Sequence, residues 1–430
     1  MKKDNQLQEH TSSYYAASVN HPTSYPMLAG NHSADICVVG GGFTGVATAL
    51  TLAERGYSVA LVEANRIGWG ASGRNGGQII NGISGLDALS EKHGESITDM
   101  IWDIRWRGND IIYERVKKYN IQCDLKQGFV ETAVKPRHLE YLNEYFEERQ
   151  KRNFPYKYEV WNKEKTQSSL GTDAYIGAFA CYRDGHLHPL NLCIGEARAA
   201  TQLGVKIFEQ SPVIDIQHGQ KPTVKTSSGG YIKSDAVLIA GNAYHTLDSK
   251  HLSNLVFPAG SYIIATEPLP EELANEINPL DVAVCDLNEV MDYYRLSADK
   301  RLLYGGQCNY SGRDPADITA YIKPRMLEVY PQLKNIKIDY EWGGKIGITV
   351  ARKLAVGCIN KNVFYCGGYS GHGVNATHIM GEIMADAISG TMEKFDLFAN
   401  EKHLRIPGTR WMGNQIIALG MLYYRLKDLL

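Results

Sequence analysis

The sequence predicts an α/β fold, mixed α+β in detail, in which a Rossmann-like nucleotide-binding domain is interleaved with an antiparallel-sheet domain. Three observations predict it. A strand, a glycine-rich turn, a helix and a second strand follow one another over residues 36–63. Alternating polar and apolar residues recur over 256–344. The order strand, glycines, helix then returns over 364–381. Strand–helix–strand order indicates a parallel sheet, and alternation indicates half-buried antiparallel strands.

The first unit begins with the apolar run "ICVV", Ile36 to Val39, and its second strand is "YSVALVEA". Between them, "FTGVATALTLAE" carries apolar residues at helical spacing, and Gly56 ends the helix. No linker or internal repeat separates this unit from the rest. We therefore expect the two domains to be interleaved rather than joined in series.

Three glycines between the first strand and its helix form the pattern G-x-G-x-x-G: Gly40, Gly42 and Gly45. The first permits a tight turn, the second lets the backbone approach a pyrophosphate, and the third lets the helix pack closely on the sheet. Glu63 ends the second strand, at the spacing of an acid that binds a ribose 2′-hydroxyl. A structural glycine turn is the alternative, but the strand, helix and acid together favour dinucleotide binding without a 2′-phosphate.

The middle of the chain supplies further elements. Residues 86–150 are polar and mostly helical in pattern, with "ESITDMIWDIRWRGNDIIYERVKKY" as the clearest helix. "LHPLNLCIGEARAATQLGVKIF" is predicted to be a helix leading into a strand, and "DAVLIAGNAY" a buried strand. Alternating runs such as "SYIIATEPL" and "RLLYGGQ" indicate an antiparallel sheet, against which "RDPADITAYIKPRMLEVYPQL" forms a helix.

Two further glycine-rich segments favour FAD over NAD. "GWGASGRNGGQ", Gly68 to Gln78, is either a flexible loop or a nest of backbone donors for a phosphate or a flavin edge. "GGYSGHGVN" precedes a helix that we expect to begin near Gly373, whose N-terminus would face a flavin that gains negative charge on reduction. We therefore expect an FAD-binding domain of residues 30–85, 180–250 and 345–400. The substrate domain would comprise 86–179 and 251–344, followed by a C-terminal helical segment, 401–430.

Composition limits the function classes. The chain has 430 residues, with 45 basic against 47 acidic side chains, so no charge excess favours nucleic acid as a partner. Its eight cysteines have no CxxC or zinc-like spacing, so we expect reduced thiols in a cytoplasmic protein and no metal site. No run predicts a transmembrane segment. The C-terminal "WMGNQIIALGMLYYRLKDLL" is expected to be an amphipathic helix packed on the body rather than a membrane contact. The sequence does not fix an oligomeric state.

The motifs "VVGGGFTG", "ASGRNGGQ" and "CGGYSGHGVN" resemble the family of FAD-dependent amine and amino-acid oxidases that includes D-amino-acid oxidase, glycine oxidase and sarcosine oxidase. The likeness runs nearly end to end. The segments "EHTSSYYAAS", "DGHLHPLNLCIGEA", "IAGNAY" and "DYYRLSADKRLLYGG" are more specific, and within the family they resemble enzymes that oxidise γ-glutamylputrescine.

The resemblance implies FAD as cofactor, and small-molecule amine and molecular oxygen as partners. A terminal amine, with γ-glutamylputrescine as the leading substrate, would be oxidised to an imine and hydrolysed to an aldehyde and ammonia, and oxygen would become hydrogen peroxide. Sarcosine-oxidase-like members attach FAD through a cysteine that "EWGGKIGITVARK" lacks, so we expect noncovalent FAD. Asn375 stands where those relatives carry a carboxylate-binding lysine, and Leu303 stands near the place of an oxygen-activating lysine.

The expected cofactor-binding residues lie in the three glycine-rich segments, apart from Glu63, Val213 and Gly241: Gly40, Gly42, Phe43, Thr44, Gly45, Glu63, Ala71, Ser72, Arg74, Asn75, Gly76, Gly77, Gln78, Val213, Gly241, Gly368, Gly371, His372, Gly373 and Val374.

Four residues are candidates for the catalytic site. His372 would contact flavin or substrate, or would only bond to its own turn. On the strand "DYYRLS", Tyr293 and Arg295 should share one face and Tyr294 the other. Arg295 would bind the γ-glutamyl carboxylate in a bidentate pair, or form a surface salt bridge. Trp342 would line the substrate channel, or pack in the core.

Two rival functions remain open from the sequence. One is a flavin dehydrogenase of another amine or amino acid that passes electrons to a carrier other than oxygen. The other is a redox-inactive FAD-binding scaffold, which would keep the first glycine motif but show no change at the flavin when substrate is added.

Overall fold

A six-stranded sheet carries the nucleotide-binding half of this computed structural model, which describes residues 8–245, 247 and 249–429. Its order is β18-β19-β12-β2-β3-β8, and every neighbouring pair is parallel except β18 with β19. The strands are β2 (Ile36–Val39), β3 (Val59–Val62), β8 (Lys206–Phe208), β12 (Ala236–Ile239), β18 (Ala355–Ile359) and β19 (Val363–Gly367). The predicted strand–helix–strand unit and its parallel sheet are confirmed.

Three helices pack together on this sheet: α2 (Phe43–Glu54), α7 (Pro189–Gln202) and α11 (Gly373–Ile388). Almost all of α2 is buried because its sequence is apolar or small around its whole circumference. Small residues also let the helices approach each other. A Cβ placed on Gly381 of α11 would lie 2.7 Å from the Cβ of Ala47. The helix predicted to begin near Gly373 begins there.

A nine-stranded sheet forms the second half, in the order β17-β13-β16-β15-β14-β5-β7-β4, with β6 paired to β7. The strands are β4 (Gln78–Ile79), β5 (Lys126–Ala133), β6 (Tyr158–Trp161), β7 (Gly177–His186), β13 (Phe257–Thr266), β14 (Ala283–Asp286), β15 (Tyr293–Leu296), β16 (Leu302–Asn309) and β17 (Ile338–Ile348). It is antiparallel as predicted, except that β5 and β14 run parallel. These two strands are far apart in sequence, so no hairpin forces them to be antiparallel.

The substrate half departs from the sequence prediction at β5, which interrupts a stretch expected to be mostly helical. The clearest predicted helix is confirmed as α4 (Glu95–Lys118). The other helices are α1 (Tyr14–Ala17), α3 (Leu86–His93), α5 (Pro136–Lys151), α6 (Lys163–Leu170), α8 (Ser249–Leu252), α9 (Glu271–Ile277), α10 (Ile318–Val329), α12 (Glu393–Ala399) and α13 (Arg410–Leu429), with 3₁₀ turns at Ala71–Gly73 and Pro331–Leu333. Helix α10 packs on the nine-stranded sheet as expected.

A four-stranded sheet of β1 (Asn31–Ser33), β9 (Val213–Gln217), β10 (Thr223–Thr226) and β11 (Tyr231–Lys233) completes the fold. Strand membership crosses the expected domain boundaries in places. Strand β7 spans residue 180, β17 spans residue 345, and β4 lies in the nine-stranded sheet. The division into domains therefore stays a prediction.

Helix α13 lies against the body through Asn414, whose amide donates to the carbonyl oxygens of Pro258 (2.8 Å) and Tyr310 (3.2 Å). Along the part of the chain that the structure describes, no helix combines the length and apolar character needed to span a bilayer. Nor do those residues group three or more metal-ligating side chains. All eight cysteines are free thiols, and only Cys358 is exposed.

Candidate active site

A cavity of about 720 Å³ lies between the two large sheets. From the six-stranded sheet it receives the residues at the ends of β2, β3 and β12, which is where parallel α/β sheets bind ligands. From the nine-stranded sheet it receives side chains of β5, β14 and β15. All the expected cofactor-binding residues line it except Gly45, Gly77 and Gly368.

The first glycine motif forms a cradle in which side chains would not fit. Gly40 has φ +116°, and a Cβ there would lie 2.9 Å from the carbonyl of Ala240. A Cβ on Gly42 would lie 2.9 Å from the Ser72 hydroxyl oxygen. That hydroxyl accepts a hydrogen bond from the Phe43 N–H (2.9 Å), and Gly42 caps α2 with no side chain. The positive end of the α2 dipole therefore faces the cavity through bare backbone, as pyrophosphate binding requires.

Glu63 lines the cavity beside this cradle. Its carboxylate accepts hydrogen bonds from the backbone N–H groups of Gly41 (2.6 Å) and Asn65 (2.8 Å). Burial raises the pKa of Glu63, against the lowering effect of these two donors. A carboxylate has about four acceptor positions, so two remain for hydroxyl groups of a ribose.

The three glycines outside the lining shape the cavity from behind. A Cβ on Gly45 would lie 1.9 Å from the Gly40 carbonyl oxygen, so this glycine has the helix-packing position predicted for it. A Cβ on Gly77 would lie 2.1 Å from the carbonyl oxygen of Leu187. Gly368 donates its N–H to the side-chain oxygen of Asn242 (2.9 Å).

The second glycine-rich segment is an ordered turn rather than a flexible loop, because its own side chains bond to it. The Asn75 amide donates to the carbonyl oxygens of Ala71 (3.0 Å) and Ser72 (2.9 Å). Arg74 donates to the Trp69 carbonyl oxygen (2.9 Å), and its guanidinium lies 4.5 Å from the centre of the Trp69 ring. Burial lowers the pKa of Arg74. The segment presents Ala71, Ser72, Arg74, Asn75, Gly76 and Gln78 to the cavity.

The last glycine motif meets the first across the cavity wall. The hydroxyl groups of Thr44 and Tyr369 are 2.7 Å apart. His372 precedes α11, and its backbone N–H donates to the Tyr369 carbonyl oxygen (3.1 Å). Its imidazole is exposed to the cavity, which it lines. Desolvation by the surrounding protein, followed by the positive charge of Arg352, lowers the pKa of His372.

Tyr293 and Arg295 share one face of β15 and Tyr294 takes the other, as predicted. The ring of Tyr293 lines the cavity, and a Cβ on Gly76 would lie 2.8 Å from that ring. Its hydroxyl is 3.2 Å from the Ser261 hydroxyl, and burial raises its pKa. Tyr293 therefore joins the substrate sheet to the glycine-rich turn.

The structure supports neither sequence expectation for Arg295. The side chain is only 3% exposed, which excludes a surface salt bridge. Its guanidinium donates to the Gly76 carbonyl oxygen (2.7 Å), the Leu296 carbonyl oxygen (3.1 Å) and the Tyr15 hydroxyl (3.1 Å). It lies outside the cavity lining. Arg295 therefore holds the glycine-rich turn in place and is not placed to bind a substrate carboxylate.

Trp342 also acts behind the cavity. It is 2% exposed, its ring packs edge-on against Tyr15 with centroids 5.3 Å apart, and its indole N–H donates to the Arg74 carbonyl oxygen (3.0 Å). The core-packing alternative therefore describes Trp342 better than the channel-wall role.

Asn375, where the family resemblance implies a lysine, lines the cavity, and its side chain is fixed by hydrogen bonds. Its amide donates to the side-chain oxygen of Asn109 (2.7 Å) and to the Arg105 carbonyl oxygen (3.3 Å).

Acidic residues of the substrate sheet were missed by the sequence analysis. Glu131 on β5 and Asp286 on β14 both line the cavity. Burial raises the pKa of each to about 7, and for Asp286 the nearby Asp292 charge adds to the effect. The alternation in "GFVETA", which places Phe129 and Glu131 on one face, was the available signal.

Residues 35–387 match the family described as "DAO: FAD dependent oxidoreductase". The chain belongs to this family. Relatives match this chain over nearly its full length: the gamma-glutamylputrescine oxidoreductase of Escherichia coli (strain K12) is 41% identical over 98% of this chain and 99% of its own. The "Probable oxidoreductase OrdL" of Haemophilus influenzae is 41% identical over 98% of both chains. The predicted resemblance is confirmed.

Solved structures agree on the fold. Glycine oxidase from Geobacillus kaustophilus superposes with a TM-score of 0.71 at 22% identity, over 87% of this chain and 100% of that one. L-proline dehydrogenase from P. horikoshii gives 0.71 at 21% identity, over 85% and 96%. As a DAO-family member the protein is an FAD-dependent oxidoreductase. The bare glycine cradle, the Glu63 carboxylate and the α11 N-terminus fit that cofactor.

Proposed function

We propose that this protein oxidatively deaminates the terminal amine of γ-glutamylputrescine to an aldehyde, with release of ammonia and hydrogen peroxide. The observation that carries the proposal is one continuous cavity, in which the FAD cradle opens onto carboxyl groups of the substrate sheet. Such a cavity suits a long, cationic amine. The 41% identity to a relative named for this substrate, over almost the whole of both chains, supports the same choice.

Bound FAD would supply the acceptor for the hydride, with its two electrons, that leaves the carbon bearing the amine, while the nitrogen loses a proton and the C–N bond becomes an imine. The protein's own residues bind and orient the amine, which must lose its ammonium proton before oxidation. The neutral imidazole of His372 and the hydroxyl of Tyr293 face the cavity at the two glycine-rich segments, where they would position the reacting end. No further acid–base pair is required, since water hydrolyses the imine after oxidation.

We also propose that FAD is held noncovalently and that oxygen is the electron acceptor. Cys358 lies outside the cavity lining, and the sulfur of Cys366 is buried 3.2 Å from the Tyr369 hydroxyl. Acid precipitation followed by spectroscopy of the supernatant tests the attachment, because only noncovalent FAD is released. The cytoplasmic location stays a prediction.

The deciding experiment is the visible spectrum of the purified holoenzyme, recorded before and after γ-glutamylputrescine is added without oxygen. We expect the flavin absorbance to bleach, and to return with one peroxide per aldehyde when air is admitted. A spectrum that does not change rejects this substrate, and other amines are then tested in the same way. A flavin that none of them bleaches would leave the redox-inactive scaffold as the better description.

A flavin dehydrogenase of another amine or amino acid is the second candidate. Leu303, buried in the core near the position of the oxygen-activating lysine, favours it. Bleaching that persists in air but reverses with an artificial acceptor would establish this alternative.

A further inference from the structure

Three cavity-lining residues stand in one row across neighbouring strands: Tyr293, Cys285 and Glu131. Tyr293 pairs with Cys285 between β15 and β14, and Cys285 pairs with Glu131 between β14 and β5. Directly paired residues project to the same face of a sheet. Neighbouring strands are about 4.8 Å apart, so the backbone of Glu131 is ~10 Å from that of Tyr293.

The Tyr293 end of this row belongs to the reaction site. Its ring lies against Gly76 of the glycine-rich turn and against Gly305 of β16. Glu131 is two strands from Tyr293 and still lines the same cavity. Glu131 is therefore placed to meet the end of a long substrate that does not react.

The Glu131 carboxylate is available for a ligand. Within the described part of the chain, no side chain or backbone N–H hydrogen-bonds to it and no ion pair includes it. Burial is the main cause that raises the pKa of Glu131, and the charge of Asp184 on β7 raises it further. The charges of Arg149 on α5 and Arg105 on α4 lower it, and the resulting pKa is about 7. Tyr145 also faces it.

The neighbouring arginine lies outside the cavity lining, although its Nε and Nη2 have no hydrogen-bond partner among the described residues. The guanidinium of Arg149 lies 3.4 Å from the centre of the Tyr145 ring and donates to the Tyr145 carbonyl oxygen (2.9 Å). It is fully buried, so it cannot reach a ligand in the cavity. Glu131, rather than Arg149, is therefore the charged side chain on this side of the cavity that a substrate can contact.

We propose that Glu131 binds the α-ammonium group at the γ-glutamyl end of the substrate. The inference rests on the proposed function. Nine bonds separate the reacting carbon of γ-glutamylputrescine from its α-amino nitrogen. Three extended bonds span 3.80 Å, as between consecutive Cα atoms, so the substrate reaches ~11 Å, which matches the separation along the row. Glu131 would thereby select amines that carry a second cation at this distance.

The test compares γ-glutamylputrescine with N-glutarylputrescine, which has the same length and carboxylate but no α-ammonium group. The wild-type holoenzyme, Glu131→Gln and the matched control Glu140→Gln, an exposed residue of α5, are each mixed with both amines without oxygen. The rate of flavin bleaching against amine concentration gives kcat/KM.

We expect wild type to prefer γ-glutamylputrescine by about 10- to 100-fold, the range for a hydrogen bond between charged groups. Glu131→Gln should lose this preference by slowing only γ-glutamylputrescine, and Glu140→Gln should keep it. The preference should also grow as pH rises from 6 to 8, because Glu131 ionises in that interval. A purely structural role for Glu131 predicts equal losses with both amines.

Equal kcat/KM values for the two amines in wild type would overturn the subsite while the proposed function stood, and this comparison needs no variant to fold. Equal losses in Glu131→Gln would overturn it as well. A wild-type flavin that neither amine bleaches would instead reject the proposed function itself.

Discussion

Alanine in place of Gly45 should severely weaken FAD binding. The added Cβ would lie 1.9 Å from the Gly40 carbonyl oxygen, whereas ordinary contact begins at 3.4 Å, so the two segments must separate by about 1.5 Å. The neighbouring atom is backbone, and it cannot rotate away as a side chain could. Helix α2 cannot retreat either, because Ala47 is closely packed against Gly381 of α11.

The expected cost is about 3 kcal/mol, at the upper end for overpacking in a closely packed core. If the strain falls on the turn that holds the pyrophosphate, the dissociation constant of FAD rises about 100-fold. Titration of the apoprotein with FAD, followed by the quenching of flavin fluorescence, measures it. Gly420→Ala is the matched control, since a Cβ there meets nothing within 4 Å.

A Gly45→Ala protein that binds FAD as tightly as wild type and unfolds at the same temperature would refute the reasoning. It would mean that the turn and helix α2 adjust without loss. A lower unfolding temperature with unchanged FAD affinity would show that the strain is absorbed away from the cradle.

Three further predictions follow from the same geometry. Trp342→Phe removes the indole hydrogen bond to the Arg74 carbonyl oxygen, so the free energy of unfolding should fall by about 1 kcal/mol. The flavin spectrum should also shift, and an unchanged spectrum would contradict the inference that this bond positions the glycine-rich turn. His372→Asn should leave the pH profile of kcat/KM unchanged between pH 7 and 8, because the lowered pKa of His372 favours the neutral ring there; loss of a limb in that interval would show otherwise. Glu196→Gln leaves Arg115 without its buried partner (3.0 Å) and should cost about 3–5 kcal/mol in urea unfolding. Burial raises the pKa of Glu196, but His378 and Arg115 outweigh this effect and lower the pKa. The stability contributed by ionised Glu196 is therefore present above about pH 4.5 and is lost at lower pH. The Glu196→Gln variant should not show this loss.

Much of the cofactor site was predictable because its signals are local. A strand, three glycines at fixed spacing, a helix and an acid occupy fewer than thirty consecutive residues, and each has a backbone requirement that the residue type itself reveals. The same holds for the start of α11 at Gly373. These segments line one cavity, and their contact with the cofactor stays a prediction.

The substrate side was predicted less well because its signals depend on neighbours. Alternation correctly placed Tyr293 and Arg295 on one face of β15. It could not show that the guanidinium of Arg295 would donate its hydrogen bonds to the Gly76 and Leu296 carbonyl oxygens instead of to a ligand. Strand β5 lies in a polar stretch with helical character, so the sequence pattern did not indicate Glu131.

The sequence by itself determined the family, the nucleotide-binding unit and the two sheet types, since these follow from periodicity, glycine conformation and residue spacing along the chain. Only the tertiary structure brought Thr44 and Tyr369, 325 positions apart, within 2.7 Å, and only it paired β14 in parallel with β5. Contacts of this kind are decided by how helices and sheets pack, which no local pattern encodes. The tertiary structure therefore decided which side chains line the cavity: Glu131 does, and Arg295 does not.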